Sequence, residues 1–276
     1  MKRTFENGVY DISNEDYHNS NGVSRSALMY LLKSPFHYHS QFIVDRPKQE
    51  PTPAMIIGEL VHTLVLEPLK YMERFYVMPK LDRRTTAGKQ LYHACLLEKL
   101  DRTLISEDMV EEANAIANAV RANEIATQLL AGAKMEQSIY WTHEATGIQC
   151  KARPDAWLLG SVVDLKTTLD AGFRSFQNSA YKYGYFLQAG MCYEALKSLG
   201  IKMESFVFLA VEKAYPYATG IFTLDGEALD YGINQFNELV GRLKLCVEKD
   251  YWPGFGIQNL TTPNYANYDV LLEIEE

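Results

Sequence analysis

Apolar positions recur at helical spacing through the first half of the chain. Ser24 is a plausible N-cap for "VSRSALMYLLKSPFHYHSQF", with Leu28, Leu31 and Leu32 on one face. Pro35 limits that helix or starts a second one. Residues 44–54, with Pro47, Pro51 and Pro53, read as a connector. "GELVHTLVLEP" (58–68) reads as a short, mostly apolar helix closed by Pro68, and residues 76–90 as a strand followed by a basic loop. Residues 91–133 are expected to be mostly helical, with Ser106 capping a segment that opens on Glu107 and Asp108, and Gly132 near its end.

The period then changes. "QSIYWTH" (137–143) and "IQCKARPDAW" (148–157) are strand-like and joined by "EATG", a hairpin signal. "SVVDLKT" (161–167) follows a turn at Gly160. Helix returns over 173–199, strands over 205–213 and 217–225, and a long amphipathic helix over 227–249; the tail from Tyr251 is irregular. This order predicts one α/β domain, with a mixed central sheet flanked by helices and a helical N-terminal decoration. The expected division is a helical region over 1–55, a core over 56–255 and a tail over 256–276.

Composition narrows the class. With 276 residues, 47% of them hydrophobic and 22% charged, the chain can bury a large core without staples. A net charge of −8 argues against general coating of polyanions, although a local basic track or bound metal can invert the field. Cys95, Cys150, Cys192 and Cys246 are scattered, which suggests neither a zinc ribbon nor a disulfide framework. There is no apolar run near the ~18 residues a membrane helix needs, and no signal-peptide pattern. A soluble, cytoplasmic protein with no membrane partner is expected.

The candidate chemistry lies in "RPDAWLLGSVVDLKTT" (153–168). On a strand, residues i and i+2 share a face about 6.6 Å apart. Val162, Asp164 and Lys166 therefore point one way, and Val163, Leu165 and Thr167 the other. Asp155 lies across a short turn, so pairing of the two strands would converge two carboxylates beside one ammonium. Burying such a group is costly without a counter-charge, and Mg²⁺, which prefers carboxylate oxygens, offsets that cost. P-D-x8-D-x-K is the pattern of the PD-(D/E)xK nucleases. His62 is the expected imidazole ligand. Glu59, three residues earlier on the same face, reads as a helix-start charge, an outer partner or a ligand to a second ion. Gln188 could hydrogen-bond a phosphate, a water or the lysine. Tyr185 is the tyrosine to watch for base stacking. "PKLDRRTTAGK" offers Lys80, Arg83, Arg84 and Lys89 as a phosphate-gripping loop, and Arg25 could also reach a phosphate.

The chain resembles the RecE-like exonuclease domains within the RecB-like PD-(D/E)xK nucleases. The resemblance is carried by "GVSRSALMYLLKSPFHY", "GELVHTLVLEP", "DRRTTAGK", "SIYW", "ATGIQCKARPDAW", "VVDLKTT", "YGYFLQAGMCY" and "FVFLAVE", in that order, from about residue 8 to 255. It implies a Mg²⁺-dependent exonuclease, with Mn²⁺ as a substitute, that digests linear double-stranded DNA from 5′ ends. The 3′ overhangs would serve a RecT-type annealing protein, in a phage- or prophage-encoded system of a bacterial cell. It also implies a homo-oligomeric ring, expected to be a tetramer. His62, Asp155 and Asp164 become metal ligands, with the Leu165 main-chain carbonyl as a further one, and Lys166 the catalytic lysine. The related motif Q-x3-Y departs here: Gln188 is followed by Cys192 at that place and by Tyr193 one later. The cysteine spacing lacks the pattern of an iron–sulfur cluster, and none is expected. A DNA-end-binding scaffold with an idle site, and an endonuclease on the same fold, are the competing readings.

Overall fold

A computed structural model describes residues 3–44 and 50–261. The N-terminal elements are β1 (Gly8–Tyr10), α1 (Asn14–Asn19), α2 (Arg25–Lys33), α3 (Pro35–Tyr38), α4 (Pro53–Leu66) and α5 (Tyr71–Arg74). Next come β2 (Phe75–Met78), α6 (Thr86–Glu98), β3 (Thr103–Ser106), α7 (Glu107–Ala122) and α8 (Glu124–Leu130). The central strands are β4 (Lys134–Met135), β5 (Ser138–Thr142), β6 (Gln149–Ala152), β7 (Ala156–Leu158) and β8 (Ser161–Thr168). The chain continues with α9 (Phe173–Lys182), α10 (Tyr185–Ser198), β9 (Ser205–Glu212), β10 (Thr219–Thr223) and α11 (Gly226–Lys249).

The capping signals act where the sequence puts them. Ser24 accepts the Ala27 N–H and Ser106 the Met109 N–H, as expected. Two expected loops are partly helix instead. Thr52 caps α4 and Pro53 is its first residue, so the helix carrying His62 starts five residues earlier than its apolar run; Pro47, assigned to the same connector, lies outside the described residues. Thr85 caps α6, so Thr86 to Lys89 form its first turn. The expected helix over 91–133 is broken by β3, which pairs in parallel with β2. The helix over 173–199 is broken at Gly184, where φ is +67°.

The main sheet has the order β10-β9-β8-β7-β4, with β8 and β9 parallel and the other pairs antiparallel. Its inner strands are buried on both faces, as a covered parallel pair requires. Val162, Phe206, Phe208 and Ala210 pack on one side with α2, α10 and α11. Val163, Leu165, Val207 and Leu209 pack on the other with α4 and α7. On the first side α10 and α11 meet at a glycine pair: a Cβ on Gly190 would lie 2.3 Å from Gly232 carbon. β1, β5 and β6 form a separate sheet. The expected single strand over 148–157 is therefore two strands in two sheets, interrupted at Arg153-Pro154-Asp155. Pro154 has no N–H to continue a ladder.

Candidate active site

That interruption makes the site. The β7–β8 register pairs Ala156 with Val163, so one step further Asp155 faces Asp164. With β7 ended, the Leu165 N–H has no strand partner there and donates to Asp155 Oδ2 at 2.7 Å. The carboxylate thus sits at the open edge of the sheet, reachable from the helical layers on both faces. From one face α4 brings His62, with Nδ1 3.4 Å from Asp155 Oδ2. From the other, α10 brings Gln188. Gln188 Nε2 donates to Asp164 Oδ1, and its Oε1 accepts from Lys166 Nζ at 3.1 Å. The Lys166 ammonium also pairs with Asp164 Oδ2.

Asp164 is 1% exposed, and its Oδ2 meets the ammonium but accepts no aligned hydrogen bond. The Lys166 ammonium and the Gln188 amide offset the cost of burying this carboxylate.

The structure adds a residue that sequence reasoning missed. Glu136, in the link from β4 to β5, completes a group with His62 and Asp155 whose ligand atoms all lie within 4.8 Å of one another. Its backbone is left-handed, φ +51°, a conformation unusual for glutamate and frequent at functional positions. Its N–H donates to the Asp155 carbonyl at 2.9 Å, and Arg153 Nε donates to its Oε2 at 2.8 Å. Glu136 belongs to no spaced motif, so the pattern "AKMEQS" held no signal for it.

Electrostatics follow from crowding acids out of water. Burial, and then the neighbouring Asp155, push the Glu136 carboxyl up to about 7. Burial, and then Asp164, hold Asp155 well above the usual carboxylate range. Burial lowers His62, keeping its imidazole neutral and able to ligate. The Glu136 and Asp155 carboxylates and the neutral His62 imidazole match the donor set of a hard divalent cation, while Asp164 lies outside that cluster, engaged with Lys166 and Gln188.

Other expected residues fall into two groups. Tyr185 lies beneath the site, its ring centroid 4.8 Å from Lys166 Nζ. Arg25 opens α2 beside it and donates to the Tyr183 carbonyl at 2.7 Å. Leu165 contributes its N–H, while its side chain is in the core. Cys192 lines a cavity of about 210 Å³ with Gln188, Glu136, Arg153 and Arg25, whereas Tyr193 turns towards Lys197. Glu59, by contrast, lines a wide groove with Lys70 and Arg74 and is not among the clustered ligands. Arg84 donates to Asp82, Arg83 stacks on Tyr92, Lys80 pairs with Asp108, and Lys89 is exposed on the first turn of α6. The basic loop is thus engaged with its own surroundings. The four cysteines are buried free thiols on α6, β6, α10 and α11. Among the described residues no helix is long and apolar enough to cross a membrane.

A mixed sheet carrying P-D-x8-D-x-K at a broken edge, with a glutamine from the following helix, defines the PD-(D/E)xK fold class. The chain belongs to the family described as "PDDEXK-like domain of unknown function (DUF3799)", whose pattern matches residues 24–258. No curated protein matches the sequence. Among solved structures, a candidate exonuclease from Eubacterium rectale is 17% identical, covers 88% of each chain and superposes with a TM-score of 0.62, which shows the shared fold. A second structure, of SSO0001, covers 78% of this chain and 85% of its own at 14% identity; its TM-score of 0.28 carries no argument.

Proposed function

We propose that this chain is a Mg²⁺-dependent exonuclease of linear double-stranded DNA that degrades 5′ ends and leaves 3′ single-stranded overhangs. The observation that carries the reading is the convergence of His62, Glu136 and Asp155 on the Asp164–Lys166 pair at the sheet edge. The similarity in fold to a candidate exonuclease agrees with it. Polarity, a tetrameric ring and a RecT-type annealing partner follow from the resemblance to RecE-like domains. So does the assignment of the whole chain to one cytoplasmic nuclease domain.

In this reading His62, Asp155 and Asp164 hold the cation, with Glu136 as a further acidic ligand and the Leu165 carbonyl beside them. Mg²⁺, or Mn²⁺ in its place, supplies Lewis-acid stabilisation of charge on the phosphate. Lys166 would orient the attacking water, and Gln188 fixes the ammonium by accepting from it. Arg25 is better placed than Arg84 to hold the terminal phosphate, because it lines the cavity with Gln188 and Glu136 whereas Arg84 is on the basic loop, paired with Asp82. The test is digestion of end-labelled linear duplex with 5′-phosphate or 5′-hydroxyl ends, in Mg²⁺ and in Mn²⁺. Loss of label from 5′ ends, with closed circular DNA untouched, is expected. Cutting of closed circles would point to an endonuclease, and binding without cleavage in either metal to an end-binding scaffold.

A further inference from the structure

Two tyrosines flank the break between α9 and α10. The turn between them is fixed: Gly184 has φ +67°, and a Cβ there would lie 2.3 Å from Met29 Sδ. Tyr185 is half-buried on Phe208 and Phe176, at centroid distances of 5.4 and 5.8 Å, and supports the Lys166 ammonium. Tyr183 is 49% exposed. Its ring lies 6.1 Å from that of Tyr185 at 33°. Its carbonyl is held by Arg25, and the Lys182 ammonium sits 5.3 Å from its centroid. An aromatic path thus runs from Lys166 to the half-exposed Tyr183 ring, with Arg25 at its backbone carbonyl and the mobile end of Lys182 over its face.

We infer that Tyr183 is a stacking platform for a base of a single-stranded DNA end whose backbone passes Arg25 and Lys182 on its way to Lys166. The inference rests on the nuclease reading and adds the form of the substrate that enters the site. An exposed ring accepts any base through its π-face, and adjacent cations follow the phosphates. A base inside a duplex keeps both faces covered by its neighbours, so only a terminal or an unpaired base can use this platform, and an unpaired one reaches it without carrying its complement. Base stacking thereby moves from Tyr185, whose ring is committed to the core and to Lys166, to Tyr183.

The experiment uses the full chain in metal-free buffer. The probes are short oligodeoxythymidylates carrying 2-aminopurine at one end or the other, and an abasic strand of equal length. Wild type is expected to bind and to quench 2-aminopurine at one end. Tyr183→Leu is expected to lose the quench and roughly 10-fold in affinity. Tyr183→Phe is expected to keep both, and the abasic strand to bind wild type and Tyr183→Leu alike. The platform is overturned if wild type neither binds nor quenches, if Tyr183→Leu matches wild type, or if the abasic strand weakens as much as the base-bearing one. Cleavage in Mg²⁺ is read separately. A protein that binds and quenches but never cleaves overturns the nuclease reading and leaves the platform standing.

Discussion

Lys151 and Lys166 are both largely buried on central strands, and each lies 4.8 Å from the centroid of a tyrosine ring, Tyr17 and Tyr185 respectively. Their surroundings differ. Lys151 on β6 donates to the Tyr17 carbonyl at 2.6 Å and to the Ser20 carbonyl and hydroxyl at 2.9 and 3.2 Å. These three acceptors are neutral and lie beside the Phe5–Tyr140 cluster. Lys166 on β8 pairs with the Asp164 carboxylate, beside three further ionisable groups. Burial of an ammonium does not by itself mark chemistry. A cage of neutral acceptors is architecture; an ion pair set beside clustered acids and an imidazole leaves a place for a cation.

The contrast breaks most sharply under exchange of the two lysines. Lys166→Ala should lower cleavage per folded molecule roughly 10²–10⁴-fold, and because it strands the buried Asp164 carboxylate it should also lower the melting temperature of the metal-free protein. Lys151→Met should cost stability alone: it strands buried acceptors and costs about 2–4 kcal/mol, with activity per folded molecule retained. Urea melts paired with single-turnover rates read both. A Lys166→Ala protein that cleaves normally would sink the catalytic assignment.

Next in size is the pH dependence of the metal-free protein. The folded state raises the Glu136 pKa, so it favours the neutral acid. That contribution is fully present below the ordinary glutamate pKa and is lost as pH rises through about 7. Unfolding free energy should fall by about 2–3 kcal/mol between pH 5 and pH 8 without metal, and Mg²⁺ should restore it. Glu136→Gln should flatten the profile and shrink the Mg²⁺ response. An unchanged profile in that variant would remove Glu136 from the cluster.

The smallest effect belongs to the basic loop. Arg84 is 91% exposed and already paired with Asp82. Arg84→Ala should change stability by less than about 0.5 kcal/mol and cleavage by no more than about twofold. A large loss of cleavage would show that the loop moves onto DNA and that its pairing with Asp82 is only a resting state.

Much of this was legible in one dimension. The caps at Ser24 and Ser106, the β8 strand and the shared face of Asp164 and Lys166 depend on interactions within a few residues, which local pattern encodes. Thr52-Pro53 and Thr85 were readable as helix starts but lay inside stretches whose prolines or charges suggested loops. Pro154 held the signal for the strand break, and Gly184 the signal for the helix break. Sequence by itself determined that Asp155, Asp164 and Lys166 meet, because strand periodicity and a tight turn force those side chains together. Tertiary structure alone decided that Glu136 joins them, that Arg84 does not, and that the site opens at a sheet edge. Those outcomes depend on where β4 and α4 pack against β7 and β8, on a left-handed backbone at Glu136, and on competition among charges far apart in the chain. None of these is fixed by a residue's neighbours in sequence.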